Sequence, residues 1–264
     1  MNMPTLFISH GAPTMALQPG AAGEALRRLG ARLPKPTGIL MVSAHWETHA
    51  PSLSTATQPE TIHDFFGFPP PLYELRYPAP GAPDLARRAA QLLNQAGIAV
   101  TLDAQRGLDH GAWVPLRYLR PNADVPVTQL SIQPRLSPLH HYRLGEALRP
   151  LTAEGVLIVG SGSLTHNLGE FRLRGEDVPS YVRGFQEWVR KALEDGDCSA
   201  LMDYRKLAPE AVRAHPTDEH FLPLFVALGA AGGGAVQRYT DEVTFGVIAM
   251  DGYVFGMEQE TVVA

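Results

Sequence analysis

The sequence has little cysteine, few charged residues and no long hydrophobic run. The single cysteine among its 264 residues, Cys198, cannot form an internal disulfide, so we expect a reducing, cytoplasmic compartment. The first residues lack the charged and apolar regions of a secretory signal, and no segment is long enough to span a membrane. The scarcity of cysteine also excludes a structural zinc site made of four thiolates.

The balance of charge excludes other partners. Charged residues make up 19% of the chain, the net charge is −5, and lysine and arginine form no cluster. Such a chain has no electrostatic attraction for nucleic acid or for an anionic membrane. We therefore expect neither as a partner.

What is present is an alternation of apolar and amphipathic segments. This alternation predicts an α/β fold: a single domain over residues 1–264, with a central, mostly parallel mixed β-sheet flanked by helices. The predicted strands cover residues 5–9, 38–44, 98–102, 125–132 and 156–160, and a final hairpin joins 243–250 to 253–255 through Asp251 and Gly252. The predicted helices cover residues 22–33, 84–95, 139–149, 181–193 and 216–228.

Ten histidines accompany the single cysteine, and three of them lie at equivalent positions. His10, His45 and His166 each follow a predicted strand at its carboxyl end, where ligands bind in parallel sheets. A lone histidine is more often structural, but three at such positions indicate a shared site. Imidazole ligands without thiolates suit zinc or Fe(II). The sequence therefore predicts a metal site at the carboxyl ends of the strands.

Two further histidines are candidates for the same site. His220 falls in the first turn of the predicted 216–228 helix, and its neighbour Glu219 is expected to point away around that helix. His110 lies in a predicted turn between Gly107 and Gly111 and is either an acid or base or a structural residue. Apart from His63, which adjoins a proline-rich segment, the other histidines are assigned to structure or solvent. His215 is expected to order a loop, and the pair at 140 and 141 is expected to be solvated.

A proline-rich segment, residues 65–83, predicts a long irregular loop. Its aromatic residues either form a wall of an apolar pocket or cover a hydrophobic edge of the domain. The candidate substrate contacts in and beside it are His63, Phe68 and Tyr73.

Seven segments carry the candidate site residues and their surroundings: SHG at 9–11, SAHW at 43–46, HDFFGFP at 63–69, LYELRYPAPG at 72–81, LDHGAW at 108–113, GSGSLTHNL at 160–168 and HPTDEHFLPL at 215–224. Taken together, these segments resemble the class III extradiol ring-opening dioxygenases, most of all the branch that cleaves DOPA. The resemblance extends from the first strand to the terminal hairpin.

The resemblance implies one nonhaem divalent metal ion per chain, Fe(II) for turnover or Zn(II) as bound. By position in the motifs, His10, His45 and His220 match metal ligands. His166 matches the acid/base histidine and is alternatively a fourth ligand, and His110 matches a histidine beside oxygen. The implied reaction opens a DOPA-like catechol with O2 to a muconic semialdehyde, and the resemblance favours a monomer.

Two alternatives use the same histidines. A zinc hydrolase would activate water at the metal and consume no oxygen. A noncatalytic metal-binding or small-molecule-binding protein would have the site without turnover.

Overall fold

The apolar runs of the sequence form one central sheet in the computed structural model, which describes residues 2–171 and 177–257. Its strands and those of a small hairpin are β1 (Thr5–Ser9), β2 (Gly38–Glu47), β3 (Ser52–Ser54), β4 (Thr101–Asp103), β5 (Val127–Ile132), β6 (Val156–Gly162), β7 (Val236–Thr240), β8 (Val243–Thr244), β9 (Ile248–Ala249) and β10 (Gly252–Phe255).

Helices connect and cover these strands. They are α1 (Gly20–Arg32), α2 (Pro71–Glu74), α3 (Pro83–Gln95), α4 (His110–Leu119), α5 (Pro138–Leu148), α6 (Pro150–Ala153), α7 (Ser180–Glu194), α8 (Cys198–Met202), α9 (Tyr204–Leu207), α10 (Ala211–Ala214) and α11 (Leu222–Ala231), with short 3-10 helices at Pro13–Ala16 and Leu168–Glu170. Of the described helices, none has the length and apolar character needed to cross a membrane.

The sheet has eight strands in the order β4-β3-β5-β2-β6-β1-β10-β7. Its centre, β5-β2-β6-β1, is parallel. Antiparallel pairing attaches β10 and β7 at one side and β3 at the other. The predicted fold, one α/β domain with a mostly parallel mixed sheet, is confirmed, and the domain limits of 1–264 stay a prediction.

Both faces of the sheet are buried, which explains the continuous apolar runs of the central strands. Along β2, Ile39 and Met41 belong to one hydrophobic core, which includes residues of α1, α4 and α7. Leu40 and Val42 belong to a second core with residues of α3 and α5. Alternate side chains of one strand therefore stabilise opposite layers of the domain.

The final predicted hairpin is wrong. β10 pairs with β1 and β7, and the segment before it forms its own hairpin of β8 and β9. Asp251-Gly252 is not a tight hairpin turn, because Gly252 is the first residue of β10 and β9 does not pair with β10. The carboxylate of Asp251 is buried and accepts a hydrogen bond from Gln186 at 2.6 Å. The positive φ values of a hairpin turn occur at Phe245 and Gly246 instead.

Two boundaries near the histidines also differ from prediction. α11 begins at Leu222, so His220 lies in the turn that precedes the helix and not in its first turn. This turn closes with a hydrogen bond from Phe221 N to Asp218 O at 2.9 Å. His110 is the first residue of α4, whereas the sequence predicts a turn and an apolar segment there.

Candidate active site

Three neighbouring strands bring the first histidines together. β6 lies between β2 and β1 in the sheet, and all three are parallel, so their carboxyl ends meet at one edge. His10 follows β1 directly, His45 lies near the end of β2, and His166 lies four residues beyond β6. The topology therefore explains why histidines distant in sequence reach one place.

His220 reaches this edge because its turn packs closely on β6. The backbone of Ser163 donates a hydrogen bond to the carbonyl of His220 at 2.9 Å. A Cβ atom at Gly162 would lie 2.0 Å from that carbonyl oxygen. Only glycine allows the two segments to approach this closely.

His110 is placed by the start of α4 against β2. Ser43 Oγ donates a hydrogen bond of 2.6 Å to the carboxylate of Asp109, the residue before the helix. A Cβ atom at Gly111 would lie 2.4 Å from Ser43 Oγ and 3.1 Å from the ring of His45. The helix therefore contacts the strand through a glycine, which keeps the two histidines beside each other with ring centroids 4.0 Å apart.

Three imidazole nitrogens converge at the base of the site. The Nε2 atoms of His10 and His45 are 3.0 Å apart, and those of His45 and His220 are 3.3 Å apart. Two nitrogens bound to one tetrahedral zinc ion at about 2.0 Å are about 3.3 Å apart. The donor set and its spacing therefore fit a single divalent ion. Ligand atoms also cluster within 4.8 Å in two groups: His10, His45 and His110, and His166, Glu219 and His220.

Each converging imidazole has a partner on its other nitrogen. Ser161 Oγ lies 3.1 Å from His10 Nδ1 and donates to the carbonyl of Gly111. Glu219 lies 3.0 Å from His220 Nδ1. Such contacts fix the tautomer and ring orientation of a ligating histidine.

Two carboxylates each contact a pair of histidines. Asp64 lies 3.5 Å from His45 Nδ1 and 3.0 Å from His110 Nδ1. Glu219 lies 3.9 Å from His166 Nδ1 in addition to its contact with His220, and the rings of these two histidines stack with centroids 3.4 Å apart.

The sequence patterns did not indicate either carboxylate, or Ser161, as a site residue. Asp64 is adjacent to a candidate histidine, which was a signal that could have been used. The expectation that Glu219 points away is wrong, because residues 219 and 220 lie in a turn and not on a helix.

Burial favours the neutral form of four of the imidazoles. It lowers the pKa values of His10 and His220 well below 6.5, and neighbouring imidazoles lower them further. Burial likewise lowers the pKa values of His45 and His166 to about 4. For Asp64 burial raises the pKa, but the hydrogen bond and charge of His110 outweigh it and lower the value to about 2. At neutral pH these four rings therefore offer imidazole lone pairs, beside the ionised carboxylate of Asp64.

The converging histidines line a cavity of about 510 Å³. All five predicted histidines, at positions 10, 45, 110, 166 and 220, contribute to its lining. Its other polar side chains, among the described residues, are Thr14 and Ser163. The remaining lining residues are apolar: Gly11, Ala12, Pro13, Phe65, Phe68, Leu168, Phe171, Phe245 and Ile248.

The proline-rich loop contributes two aromatic rings to this cavity. Phe65 and Phe68 line it in edge contact, with centroids 5.4 Å apart, whereas Phe66 is 92% exposed. His63 and Tyr73 pack behind Phe65, with centroids 5.6 Å and 5.3 Å from it, and do not line the cavity. Of the three candidate substrate contacts, Phe68 is therefore the one at the cavity surface.

Two histidines outside the cavity have structural partners. His215 Nε2 lies 2.8 Å from the carbonyl of Leu164, in keeping with a loop-ordering role. The expectation of a solvated pair is wrong for His141, which is fully buried. Its Nδ1 lies 3.0 Å from the carbonyl of Ser137, and its Nε2 accepts a hydrogen bond from the backbone of Gln133 at 3.2 Å.

Comparison with known proteins identifies relatives of this arrangement. Residues 4–256 match the family model described as the catalytic LigB subunit of aromatic ring-opening dioxygenase. The chain is 47% identical over 232 residues to a protein of Beta vulgaris named 4,5-DOPA dioxygenase extradiol, with 86% of this chain and 87% of the relative covered. A protein of the same name from Escherichia coli K12 is 39% identical over 240 residues, with 88% and 86% covered.

A solved structure has the same architecture. The crystal structure of an uncharacterized protein from Escherichia coli K12 superposes with a TM-score of 0.81 at 32% identity. The alignment covers 96% of this chain and 100% of that chain. The similarity therefore includes the sheet, its flanking helices and the edge at which the histidines meet.

Proposed function

We propose that this chain binds a catechol substrate and a metal ion held by histidines. The chain belongs to the LigB family of aromatic ring-opening dioxygenases and is an extradiol ring-cleaving enzyme. The observation that carries the proposal is the convergence of three Nε2 atoms at the base of an apolar cavity. The alternative function, a zinc hydrolase, is not supported, because the matching family and relatives are oxygenases.

The proposed ligands are His10, His45 and His220. The spacing of their Nε2 atoms and the partners on their Nδ1 atoms support this choice. These residues would hold a redox-active divalent ion, Fe(II) for turnover, which would supply chelation of both catechol oxygens and transfer of electron density from the ring to O2. Zinc would fit the same donors, so the spacing of the nitrogens does not select the metal.

His166 is proposed as the acid/base residue. Its pKa of about 4 leaves the imidazole neutral at pH 7, so it can accept the phenolic proton of the substrate. Glu219, 3.9 Å from His166 Nδ1, would stabilise the resulting imidazolium. The same proton is available for return to the product.

His110 is proposed to donate a hydrogen bond to the oxygen that is incorporated. Its Nδ1 faces Asp64 and its Nε2 is available to the cavity, so the ring can donate from Nε2 when it carries both protons. The reaction breaks the ring bond beside the two hydroxyl groups, and both atoms of O2 enter the muconic semialdehyde.

The test is anaerobic reconstitution with Fe(II), followed by addition of O2 and a panel of catechols that includes DOPA. We expect oxygen uptake and a yellow ring-opened product. Absence of uptake with every catechol would contradict the proposal.

Two variants separate ligand from acid/base residue. His45→Ala is expected to lose the metal, whereas His166→Ala is expected to retain most of it and to lose turnover by on the order of a hundredfold or more. Metal content measured by elemental analysis distinguishes them. Loss of metal from His166→Ala would make His166 a ligand.

The cellular setting is also part of the proposal. One cysteine and mild negative charge suit a reducing cytoplasm, and the family resemblance favours a monomer. Light scattering and cell fractionation test these two points.

A further inference from the structure

A buried carboxylate stands one residue before His110. It belongs to Asp109, which is fully buried. Its Oδ1 accepts a hydrogen bond from Ser43 Oγ at 2.6 Å, and its Oδ2 accepts one from Gln129 Nε2 at 2.9 Å and one from Arg106 Nη2 at 2.6 Å. A charge is tolerated in the interior where it is paired and hydrogen-bonded, and both oxygens of Asp109 meet this condition.

The groups that bind this carboxylate come from separate segments. Ser43 lies on β2, Gln129 lies on β5, and Arg106 lies between β4 and α4. The amide of Gln129 bonds Asp109 twice, because its Oε1 also accepts a hydrogen bond from the backbone N of Asp109 at 3.2 Å. Asp109 therefore joins two strands of the sheet to the start of the helix that carries His110.

The proposed ligand His45 lies where β2 is irregular. The pairing of β2 with β6 is regular as far as Ser43, and its pairing with β5 shifts register between Val42 and Glu47. His45 falls within that interval. A register shift of this kind disrupts the ladder locally and re-aims the side chains within it. The direction of the His45 ring therefore depends on contacts other than the ladder.

Two of the groups bound to Asp109 also hold the backbone of His45. Ser43 Oγ accepts a hydrogen bond from His45 N at 3.2 Å, and Arg106 Nη2 donates one to the His45 carbonyl at 3.3 Å. The Arg106 guanidinium also lies over the ring of Trp46, 5.1 Å from its centroid. Both polar backbone groups of His45 are thus connected to one carboxylate, each through a single side chain.

We propose that Asp109 is a positioning residue of the metal site, which acts on His45 through Ser43 and Arg106. This inference rests on the proposed function, because it takes His45 as a ligand of the ion. A ligating imidazole must aim its lone pair at the ion within narrow limits, so looser backbone contacts weaken the bond. Loss of contacts that orient a ligand typically lowers metal affinity about 10- to 100-fold.

The first experiment uses cobalt(II) as the probe, because its visible absorption bands report the number and arrangement of the bound ligands. The chelator-treated protein is titrated with Co(II) alone, without a catechol. We expect Asp109→Asn to weaken Co(II) binding by about 10- to 100-fold and to shift the absorption bands of the bound ion. A folded Asp109→Asn variant with the affinity and the bands of the parent would overturn the inference.

The second experiment changes the two connections and keeps the inference testable if Asp109→Asn fails to fold. Ser43→Ala removes the bond to His45 N, and Arg106→Gln removes the bond to the His45 carbonyl. Each should weaken Co(II) binding by on the order of tenfold. Arg106→Lys should retain most of the affinity, since one ammonium can donate to both acceptors of Arg106 Nη2. Parental affinity in both Ser43→Ala and Arg106→Gln would overturn the inference.

The matched control is Arg88→Gln, because Arg88 also pairs with a carboxylate, that of Glu154, at 2.7 Å. Glu154 precedes β6 at its amino end, opposite to the histidines, so this variant should bind Co(II) as the parent does. An equal loss in Arg88→Gln and Arg106→Gln would contradict a specific role of Asp109. A parent that binds Co(II) but, loaded with Fe(II), turns over no catechol would contradict the proposed reaction and leave the inference standing.

Discussion

Each of the two site carboxylates contacts one proposed ligand and one histidine assigned to proton chemistry. Asp64 contacts His45 and His110, and Glu219 contacts His220 and His166. A change at either carboxylate therefore affects metal affinity and proton transfer together. Neither residue needs to touch the metal or the substrate to do so.

Asp64→Asn should lower metal affinity by about 10- to 100-fold, because the neutral amide no longer raises the basicity of the His45 ring. Competition with a chelator of known affinity measures this loss. Asp84→Asn is the matched control, since the Asp84 side chain is 96% exposed. Equal affinities for the two variants would show that Asp64 does not support the ligand.

A buried histidine outside the cavity, His141, is expected to affect stability and not catalysis. His141 donates from Nδ1 to Ser137 and accepts at Nε2 from Gln133, so the fold requires a neutral ring. Burial lowers its pKa from 6.5 to about 4. The unfolded chain therefore takes up this proton first as the pH falls. The contribution of His141 to the free energy of unfolding is complete above pH 6.5. It is lost between pH 6.5 and about 4, by at most about 1.4 kcal/mol per pH unit.

His141→Asn should cost about 1–3 kcal/mol at pH 7, because it leaves the backbone amide of Gln133 without its acceptor. The variant cannot gain the charge, so its deficit relative to the parent should shrink as the pH falls toward 4.5. Urea unfolding at several pH values measures the difference. A stability deficit of the variant that is constant with pH would contradict the assignment of His141 as a buried, neutral ring. His49→Gln, at an exposed position, is the control.

At the scale of elements, the contact of α4 with β2 sets the distance between His110 and His45. This contact is made through Gly111, whose hydrogen atoms face Ser43 and the His45 ring. A methyl group there would need to displace the helix, the hydroxyl of Ser43 or the ring itself.

Gly111→Ala should therefore destabilise the protein by about 1–3 kcal/mol and weaken metal binding as well, because His45 is displaced. Thermal unfolding and metal titration give the two readouts. Gly184→Ala, within α7, is the matched control, because its Cβ would meet only Pro209 at 3.8 Å. That change should raise stability by up to about 1 kcal/mol. A Gly111→Ala variant as stable as the parent would show that the contact is not tight.

Strand periodicity was sufficient to predict the centre of the sheet and the edge where histidines meet. β1 matches its predicted range, and β2 and β6 each extend a few residues beyond their own predicted ranges. The turn before α11 was not predictable in this way. A proline and acidic residues favour a helix start at 216, but the close packing of His220 on Gly162 holds the segment as a turn. That contact joins residues far apart in sequence, so local propensity does not report it.

The hairpin error has a similar physical cause. Asp251-Gly252 is a strong local hairpin signal, yet Ser9 Oγ donates to the carbonyl of Asp251 at 2.7 Å, and β10 pairs with β1. Tertiary bonding therefore overrides the turn preference. The carboxylates Asp64 and Glu219 were missed for the same reason, since their role depends on which rings the fold places beside them.

At the scale of the whole molecule, the proposed metal ion would link distant parts of the chain. His10 and His45 come from two central strands, and His220 comes from the turn before α11. A ligand that binds only the folded state stabilises it, by about 2.7 kcal/mol at a free concentration 100 times its dissociation constant. Because the three donors are brought together only by the complete sheet, the unfolded chain offers no equivalent site.

Saturating zinc should therefore raise the midpoint of thermal unfolding by about 5–10 °C relative to the chelator-treated protein. Differential scanning calorimetry over a range of zinc concentrations measures the shift, which should grow with the logarithm of the concentration. His10→Ala should abolish it, because it removes one of the converging nitrogens, while His49→Ala, at an exposed position, should retain it in full. An equal shift in both variants would place the ion elsewhere on the protein, since binding at the three-histidine site depends on His10.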